Sequence, residues 1–583
     1  MKKHPVAVIV ISVSVFGSSL NCGMILGLDE FSDAESAGVG GSTATTADSG
    51  SSTSTAGGGA NPSLAPTVPV PRLPMNGADV GTMRKSGSRR PRFAWEESMG
   101  MTDRPVEYEI QYGTDPTMAD VVTITTARAE YQIDSDLQGE LLPPVGRRYY
   151  WRVRACSQGE CSSFSPVWWF NVGRVRCDFN ADGYDDVAVG AVSVTRNDIN
   201  AVYFYYGSAG VEFDAASNGT KTRPSDSVAG FGTALSCAGD VDGDGFADLL
   251  VGAPFSDHLT GDAWVYFSDG GDIFSGVPWE LRHGLEEGVE FGGALSAAGD
   301  VDGDGFDDII VGELGGPYVY LYRGDSSERI ADPISLSLDV NASSVVAAVA
   351  SAGDVNGDGF SDVMVSFQPR DSLGHQAVGL YFGGTGLGFD AVPDIELAAP
   401  MEDSNFGSAI AGAGDVNGDG FGDVIVGSHG LSRSYIYIGG PDGLKPAPYL
   451  TLEGKARTNF GLAVASAGDM NGDGFGDVAV GTSDYSNDPG TVYIYMGGSG
   501  TMLNGSADVA FHRPANGDGF GPVLGSSGDV NGDGFSDLTI AAPQDDAVFV
   551  FFGKSKAENP DPEDGSVIQP LIDLVFGSAV ARR

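Results

Sequence analysis

Residues 178–186 read Asp-Phe-Asn-Ala-Asp-Gly-Tyr-Asp-Asp, and a short apolar run, Val-Ala-Val-Gly, follows at once. The same nine-residue loop, D-x-[DN]-x-D-G-[FY]-x-D, occurs seven times in the chain. The other six copies begin at Asp240, Asp300, Asp354, Asp415, Asp469 and Asp529. Successive copies start 54–62 residues apart. A near-constant period of this size predicts a fold built from structural repeats.

The loop carries oxygen donors in a pattern that suits calcium. Positions 1, 3, 5 and 9 are Asp or Asn in every copy, position 6 is Gly and position 7 is aromatic. Ca²⁺ takes about six to eight hard oxygen ligands from a loop that can wrap it, whereas Mg²⁺ demands a near-ideal octahedron. Gly permits the sharp turn, and the main-chain oxygen of position 7 can add a donor. We therefore expect about seven structural calcium ions.

The predicted ligands stand at positions 1, 3, 5, 7 and 9 of each copy. In chain order they are Asp178, Asn180, Asp182, Tyr184, Asp186; Asp240, Asp242, Asp244, Phe246, Asp248; Asp300, Asp302, Asp304, Phe306, Asp308; Asp354, Asn356, Asp358, Phe360, Asp362; Asp415, Asn417, Asp419, Phe421, Asp423; Asp469, Asn471, Asp473, Phe475, Asp477; and Asp529, Asn531, Asp533, Phe535, Asp537.

The EF-hand is the main alternative, because its loop opens in the same way. It needs a Glu at position 12 and a helix on each side. Position 12 is apolar here, as at Val189, Val251 and Ile540, and the flanks are rich in strand-forming residues. The ligand set must therefore close at position 9. A partial copy around Asn516 has Pro at both ends of its loop, and we do not count it as a metal site.

The sequence around each loop also repeats. A Phe-Gly pair precedes five of the loops, and an aromatic β run ending near a Gly turn follows them. A period of this length has room for four short strands, as in a propeller blade. These residues resemble the FG-GAP repeats of integrin α-subunit head domains and their bacterial relatives. The resemblance covers about Gly173 to the C-terminus and implies an all-β, seven-bladed β-propeller over residues 173–583. In that family the metal loops join the first and second strands of a blade.

Two departures from integrins limit what the resemblance implies. All seven loops are complete, whereas integrin heads carry them in only some blades. We find no inserted adhesion domain and no transmembrane helix after the propeller, so heterodimerisation and signalling are not implied. The C-terminal stretch 574–583 resembles the start of the repeat at Phe406. We therefore predict that this tail supplies the inner strand of the first blade and closes the ring.

Residues 1–22 form a basic start followed by a short apolar run, which predicts an export signal. Cys22 stands just after the run, as in bacterial lipoproteins, whose Cys is lipidated. Asn21 departs from that pattern, so an ordinary signal peptide with an incidental Cys stays open. Residues 23–70 are rich in Ser, Thr, Gly, Ala and Pro and predict a disordered linker. We expect a protein at the outer surface, secreted or periplasmic, that meets a membrane only through a lipid anchor.

Residues 71–172 differ in composition and show period-two alternation in two segments. Their Trp and Tyr pattern resembles a fibronectin type III domain, a two-sheet sandwich. Within it, Cys156 and Cys161 bracket four residues and predict a hairpin disulfide. Cys177 and Cys237 precede the first two metal loops, where they could pair or remain buried thiols.

The remaining motifs favour binding over catalysis. The formal net charge of −47 argues against nucleic acid and anionic lipid surfaces. No nucleophile elbow, phosphate loop or zinc motif occurs. The tripeptide at Arg323 spells a sequence that integrins recognise, but it occupies a strand-ending turn. His258, His375 and His429 are expected in the segments that join second and third strands.

We predict a non-catalytic, calcium-binding cell-surface protein whose propeller mediates adhesion or ligand binding. Its protein or glycan ligand is expected on the face opposite the calcium loops. The alternatives are a carbohydrate-binding, lectin-like propeller and an accessory module of a secreted enzyme system.

Overall fold

The computed structural model of the chain describes residues 7–12, 65–554 and 574–575, apart from internal gaps. These gaps are 75, 77, 83–88, 99–104, 174–175, 193–199, 210–217, 225–227, 257–258, 271–273, 275, 282–287, 327–328, 332, 338–343, 370–375, 386–391, 401–404, 456–457, 483–489, 499–504, 513–518, 544–546 and 555–573. The predicted linker therefore lies outside the described residues except for 65–70, as does Cys22.

The described chain is all-β. Strand β1 (Ala7–Ser12) belongs to a sheet whose other strands come much later in the sequence. The next nine strands form two sheets in what we call the N-terminal β-domain, residues 65–173. They are β2 (Pro71–Leu73), β3 (Ala78–Thr82), β4 (Arg92–Trp95), β5 (Glu107–Gly113), β6 (Val122–Thr126), β7 (Glu130–Gln132), β8 (Arg147–Ser157), β9 (Glu160–Cys161) and β10 (Trp168–Gly173).

The two sheets of the N-terminal β-domain enclose an aromatic core. One sheet has the order β3-β10-β8-β5-β6, with β9 paired to β8, and the other has the order β2-β4-β7. Along β8 the side chains alternate between buried and partly exposed, as its period-two sequence predicts. Trp151, Phe93 and Phe170 are fully buried, and the Phe93 ring lies within contact distance of the other two.

The described residues after β10, together with β1, form seven four-stranded antiparallel sheets. Neighbouring strands are consecutive in sequence except in the first sheet, which β1 joins, and in the third, which carries an inserted hairpin. In the first three sheets the strands are β1, β11 (Val187–Val192), β12 (Ala201–Tyr205) and β13 (Gly219–Thr222); β14 (Ala234–Gly239), β15 (Asp248–Ala253), β16 (Asp262–Tyr266) and β17 (Trp279–Glu280); and β18 (Phe291–Gly299), β19 (Asp308–Glu313), β20 (Tyr318–Tyr322) and β23 (Ile334–Ser337). A small hairpin, β21 (Gly324–Asp325) and β22 (Arg329–Ile330), is inserted before β23.

The fourth to seventh sheets repeat the arrangement. Their strands are β24 (Ser344–Gly353), β25 (Asp362–Pro369), β26 (Ala377–Tyr381) and β27 (Ile395–Ala398); β28 (Phe406–Gly414), β29 (Asp423–Ser428), β30 (Arg433–Tyr437) and β31 (Leu450–Glu453); β32 (Ala463–Gly468), β33 (Asp477–Gly481), β34 (Thr491–Tyr495) and β35 (Val509–His512); and β36 (Leu524–Gly528), β37 (Asp537–Ala542), β38 (Ala547–Phe551) and β39 (Leu574–Val575). A 3₁₀ turn, His429–Leu431, follows β29.

Each sheet packs its apolar faces on its two neighbours. Val189 of the first sheet shares one core cluster with Ile540 of the seventh, while Ala188 shares another with Leu249 of the second. The second strands are apolar on both faces for this reason, and all six residues of β15 are buried. Most of the aromatic third-strand residues, such as Tyr437, are buried.

The structure corrects the predicted ring closure. Strand β1 pairs antiparallel with β11 at the edge where the C-terminal tail was expected, from Ala7 opposite Val192 to Ser12 opposite Val187. Leu574–Val575 instead pairs with β38 as the outer strand of the seventh sheet. The Ala7–Ser12 sequence is apolar and rich in β-branched residues, which suit a sheet edge in need of a partner. Residues 576–583 lie outside the described part.

Candidate metal centres

Six of the seven acidic loops join the first and second strands of a sheet, and the first loop directly precedes β11, the second strand of its sheet. We number them loops 1 to 7 in chain order: 178–186, 240–248, 300–308, 354–362, 415–423, 469–477 and 529–537. Position 9 is the first residue of the second strand in six loops, and in loop 1 it directly precedes β11. Since strand pairing fixes position 9, the sheet holds one end of each loop rigidly.

Position 9 is a fully buried Asp in all seven loops: Asp186, Asp248, Asp308, Asp362, Asp423, Asp477 and Asp537. One carboxylate oxygen accepts from the amide of position 2, and the other accepts from an amide just after the third strand. In loop 5 these donors are Val416 and Gly439, at 2.8 and 2.9 Å from Asp423. Each oxygen keeps a second lone pair, which can face a cation.

Position 1 shapes the turn. In six loops its Oδ2 accepts from the amide of the position-6 glycine, as Asp354 does from Gly359 at 2.9 Å. That glycine has a positive φ, +91° at Gly359, which an L side chain adopts only with strain. In loop 2 the remaining oxygen of position 1, Oδ1 of Asp240, is buried without a hydrogen-bond partner.

Positions 3 and 5 complete the acidic cluster. In loop 2 the carboxylate oxygens of Asp240, Asp242 and Asp244 lie within 4.8 Å of one another, and loop 3 brings Asp300, Asp302 and Asp304 together in the same way. The other five loops have Asn at position 3. In every loop the amide of position 7 donates to Oδ1 of position 5. In loops 4, 5 and 7 the second oxygen of position 5 accepts from the side-chain amide of the Asn at position 3.

The loops concentrate negative charge where water is excluded. Burial, reinforced by neighbouring carboxylates, raises the pKa of Asp178 to about 7 and of Asp415 to about 7. Burial likewise raises the pKa of Asp423 well above its usual range, with Asp415 as the next cause. A buried carboxylate cluster with raised pKa values is short of positive charge. A divalent cation would supply that charge.

The donor chemistry fits a hard divalent cation. The cluster offers carboxylate and amide oxygens, with no His or Cys at the ligand positions, which favours calcium over zinc or copper. The buried Oδ1 of Asp240 has no hydrogen-bond partner and is therefore available to bind a cation. In loops 2 and 3 the carboxylates of positions 1, 3 and 5 converge, and the assignment of positions 7 and 9 as ligands stays a prediction.

Neighbouring loops are joined in a continuous series of hydrogen bonds that the sequence did not reveal. The amide at position 8 of each loop donates to the main-chain oxygen at position 1 of the loop before it. The bonds run from Ala247 to Asp178, Asp307 to Asp240, Ser361 to Asp300, Gly422 to Asp354, Gly476 to Asp415, Ser536 to Asp469, and from Asp185 to Asp529. The seventh loop is thus joined to the first.

The residue types that recur at positions 4 and 7 are explained by packing between neighbouring loops. In six loops position 4 is Gly, and a Cβ there would collide with the position-7 ring of the following loop. Phe475 of loop 6, for example, covers Gly418 of loop 5, and Tyr184 of loop 1 covers Gly532 of loop 7. Ala181 is the exception, and Phe246 of the following loop lies against Gly270 instead.

Comparison with known proteins identifies these repeats. A family model described as an FG-GAP-like repeat matches residues 300–365 and 415–480. A second, described as an FG-GAP repeat, matches residues 231–266 and 520–559. The chain carries FG-GAP repeats. The matched segments together contain six of the seven acidic loops, namely loops 2 to 7, so these loops are part of the repeat itself.

Part of the chain is similar to integrin α subunits. Integrin alpha-PS5 of Drosophila melanogaster is 33% identical over 171 residues, which cover 27% of this chain and 16% of that protein. Integrin alpha-5 of Xenopus laevis is 28% identical over 234 residues, or 37% of this chain and 21% of the relative. The chain thus matches about a fifth or less of the length of these relatives.

One solved structure, of BBS1N in complex with ARL6DN, aligns with 56% of this chain and 80% of its own at a TM-score of 0.35 and 12% identity. A likeness of that degree supports no further conclusion. Within the described ranges, no helix has the length and hydropathy needed to cross a bilayer.

Two arginines contact position 3 in the FG-GAP loops that have Asp there. Arg323 Nη1 lies 3.3 Å from Asp302 Oδ2, and Arg329 Nε lies 3.7 Å from Asp242 Oδ2. Arg323 begins the Arg-Gly-Asp tripeptide. Gly324 is buried, and its amide donates to Asp308 Oδ1 at 3.0 Å. This arrangement gives the tripeptide a structural role in loop 3.

None of the described cysteines and histidines stands at a predicted ligand position of the acidic loops. Cys156 and Cys161 form a disulfide across β8 and β9. Cys177 and Cys237 are buried free thiols, and burial raises the pKa of Cys237 to about 11. His429 is buried with Nδ1 2.8 Å from Ser408 Oγ, whereas His258 and His375 lie outside the described residues.

Proposed function

We propose that the protein is a non-catalytic, calcium-binding surface protein whose seven FG-GAP sheets form a seven-bladed propeller for adhesion or ligand binding. The single observation that carries the proposal is the identical anchoring of Asp at position 9 in all seven loops. Seven loops with one geometry suit a structural ion in each blade. The similarity to integrin α subunits supports the binding role.

The calcium would be structural. Each loop leads into the second strand of its sheet and contacts the loops on both sides, so an ion that fixes one loop also fixes its neighbours. Without the ion, several buried carboxylates face one another without a counter charge. Ligand binding to the native state alone raises its stability, and calcium should act in that way.

Thermal unfolding with and without calcium tests the proposal. We expect CaCl₂ to raise the melting temperature of chelator-treated protein, with a much smaller effect from MgCl₂ at equal ionic strength. Elemental analysis of the dialysed protein should find about seven calcium ions per chain, one for each complete loop. A melting temperature that calcium leaves unchanged would overturn the structural-metal proposal.

The ligand surface is proposed to lie opposite the loops, where the second and third strands of each sheet are joined. Leu259 and Leu431 are exposed in such connections, at 41% each. Apolar side chains exposed on that face suit a protein partner. The aromatic third-strand residues are buried between sheets, which leaves them unavailable for stacking on sugars.

Leu431→Asp and Leu142→Asp provide a matched test of the ligand face. Both side chains are exposed, but Leu142 belongs to the N-terminal β-domain. We expect Leu431→Asp alone to weaken attachment of cells to immobilised protein. Equal attachment by both variants would count against this face. Binding on a glycan array that Leu431→Asp leaves intact would favour the lectin-like alternative.

The N-terminal regions complete the proposal. The arrangement of a three-stranded sheet on a larger sheet suits a fibronectin type III-like sandwich. Residues 1–22 are proposed to direct export and Cys22 to carry a lipid. Cleavage before Cys22 would remove β1, so β11 would be the inner edge strand of the first sheet in the mature protein. Mass spectrometry of the protein from its native envelope, before and after Cys22→Ser, tests the anchor.

A further inference from the structure

The N-terminal β-domain sits on the same side of the FG-GAP sheets as the acidic loops. Four hydrogen bonds join it to three loops. Asn76 Nδ2 donates to the Gly420 oxygen at 2.6 Å, and Arg148 Nη1 donates to the Gly359 oxygen at 2.5 Å. The Val145 amide donates to the Gly243 oxygen at 3.1 Å, and Trp169 Nε1 donates to Asp354 Oδ2 at 3.3 Å.

Two buried or half-buried arginines reinforce this contact. The Arg72 guanidinium stacks 3.6 Å from the ring centre of Phe475 in loop 6. Arg148 stacks 3.8 Å from the Trp169 ring, and its Nη2 lies 3.9 Å from Asp300 Oδ2 in loop 3. Both arginines therefore bring positive charge to the acidic side of the sheets.

The overall charges of the two regions differ strongly. Residues 65–173 contain 12 Lys and Arg against 13 Asp and Glu, whereas residues 174–583 contain 18 against 61. The N-terminal β-domain is nearly neutral, and the FG-GAP region is strongly acidic. A nearly neutral domain with projecting arginines can approach the loop side without the repulsion that a second acidic domain would meet.

The contact covers some loops and leaves others open. A Cβ at the position-6 glycine would meet Arg148 in loop 4, overlap Trp168 in loop 5 and touch Arg72 in loop 6. The same glycines of loops 1 and 7, Gly183 and Gly534, have no atom within 4 Å of that point. Loops 4 to 6 are thus under the domain, and loops 1 and 7 face away from it.

We propose that the N-terminal β-domain is a calcium-dependent clamp on loops 4 to 6. The oxygens that accept from Arg148 and Asn76 belong to the position-6 glycines, at the turn that each loop makes around its ion. Asp354, which Trp169 contacts, is itself a position-1 ligand. Ordering of the loop by calcium presents these acceptors, and relaxation of an empty loop withdraws them. This inference rests on the proposed calcium binding.

The coupling must also act in the opposite direction. Since the domain holds loops 4 to 6 in their turned form, its contacts raise the calcium affinity of those loops, because linkage between two binding events is reciprocal. The chain then has two classes of calcium site, clamped and unclamped. Loss of the clamp converts the first class into the second.

A matched pair of glycine variants isolates the clamp. Gly420→Ala places a Cβ against Trp168, whereas Gly183→Ala introduces the same residue at the same φ of +94° with open space around it. Both variants strain one metal loop equally. Only Gly420→Ala should separate the domain. Arg148→Ala combined with Asn76→Ala removes the clamp without touching a loop, and Arg92→Ala serves as its control in the exposed Glu130 pair.

Small-angle X-ray scattering of the full chain in CaCl₂ and in EGTA provides the test. We expect the radius of gyration to rise in EGTA while the far-ultraviolet circular dichroism of the sheets persists. In CaCl₂, Gly420→Ala and the Arg148–Asn76 double variant should already be extended, and Gly183→Ala and Arg92→Ala compact. If EGTA melts the sheets, the comparison in CaCl₂ decides alone. A compact Gly420→Ala protein, or a wild type that stays compact after its ions are removed, overturns the clamp.

Calorimetric titration with CaCl₂ separates the two proposals. The double variant should lose at least about five-fold in affinity at a subset of sites and keep the wild-type affinity at the others. Uniform affinity in wild type and variant contradicts the clamp and leaves calcium binding standing. Absence of calcium binding in the wild type contradicts the proposed function itself.

Discussion

The main chain and side chain of Asp185 both bond to Asp529, a residue 344 positions away. The Asp185 amide donates to the Asp529 oxygen at 3.1 Å, and the Asp529 amide donates to Asp185 Oδ2 at 2.9 Å. These two bonds connect loop 1 to loop 7. Asp307 makes the same pair of bonds to Asp240 between loops 3 and 2, at 3.2 and 2.9 Å.

The first prediction concerns this closure. Asp185→Ala should lower the stability of the protein by about 1–2 kcal/mol, because it deprives the Asp529 amide of its acceptor. Asp185→Asn keeps an acceptor oxygen and should retain most of that stability. Chemical denaturation in CaCl₂ measures both. Equal losses in the two variants would show that charge, and not the hydrogen bond, matters at this position.

The second prediction separates two roles of the polar side chains in loop 5, namely acceptance of main-chain hydrogen bonds and calcium binding. Asp423→Ala removes the acceptor of two amides in a fully buried setting and should cost about 2–4 kcal/mol even without calcium. Asn417→Ala, in the same loop, changes a partly exposed side chain and should weaken calcium binding with a much smaller loss of stability. Denaturation in EGTA and calcium titration of both variants check this. Similar stability of the two variants in EGTA would show that position 9 has no structural role of its own.

The third prediction concerns the Arg-Gly-Asp tripeptide. Gly324 is buried and its amide is bound to Asp308, so an integrin could reach the tripeptide only after loop 3 had been disrupted. Asp325→Glu should therefore leave the attachment of integrin-bearing cells unchanged. A peptide with an accessible Arg-Gly-Asp sequence provides the positive control. Attachment that Asp325→Glu abolishes would restore a recognition role.

The fourth prediction uses the buried imidazole on the opposite side of the sheets. Burial lowers the pKa of His429, so its neutral form is favoured in the folded state. A lowered pKa contributes stability above the ordinary His value and loses it as the pH falls. His429→Gln should therefore remove part of the decrease in melting temperature between neutral pH and pH about 5. An identical decrease in wild type and variant would mean that His429 does not contribute to the pH dependence of stability.

The sequence predicted the repeat and the acidic loops, because both depend on residues that are close together in the chain. The absence of an acid at position 12 led us to close the predicted ligand set at position 9, and the structure begins the second strand there. The contact between position 4 of one loop and position 7 of the next was not predicted, because it joins residues about 60 positions apart.

The contacts between distant segments could not be predicted in this way. Arg148 meets Gly359 across 211 residues through a single hydrogen bond, and no pattern in either segment announces the other. The predicted ring closure failed for a related reason. Strand pairing relies on main-chain hydrogen bonds that any extended segment can make, so the resemblance of the tail to Phe406 could not rank it above Ala7–Ser12.

The series of seven loop-to-loop hydrogen bonds has a mechanical consequence. In an open series of hydrogen-bonded loops, the first and last loops would each have a bonded neighbour on one side only. Here the bond from Asp185 to Asp529 leaves no end, so a pull on any loop is borne by the links on both sides of it. The loops therefore form a closed series, in which the displacement of one loop is resisted by hydrogen bonds to the loops on both sides of it.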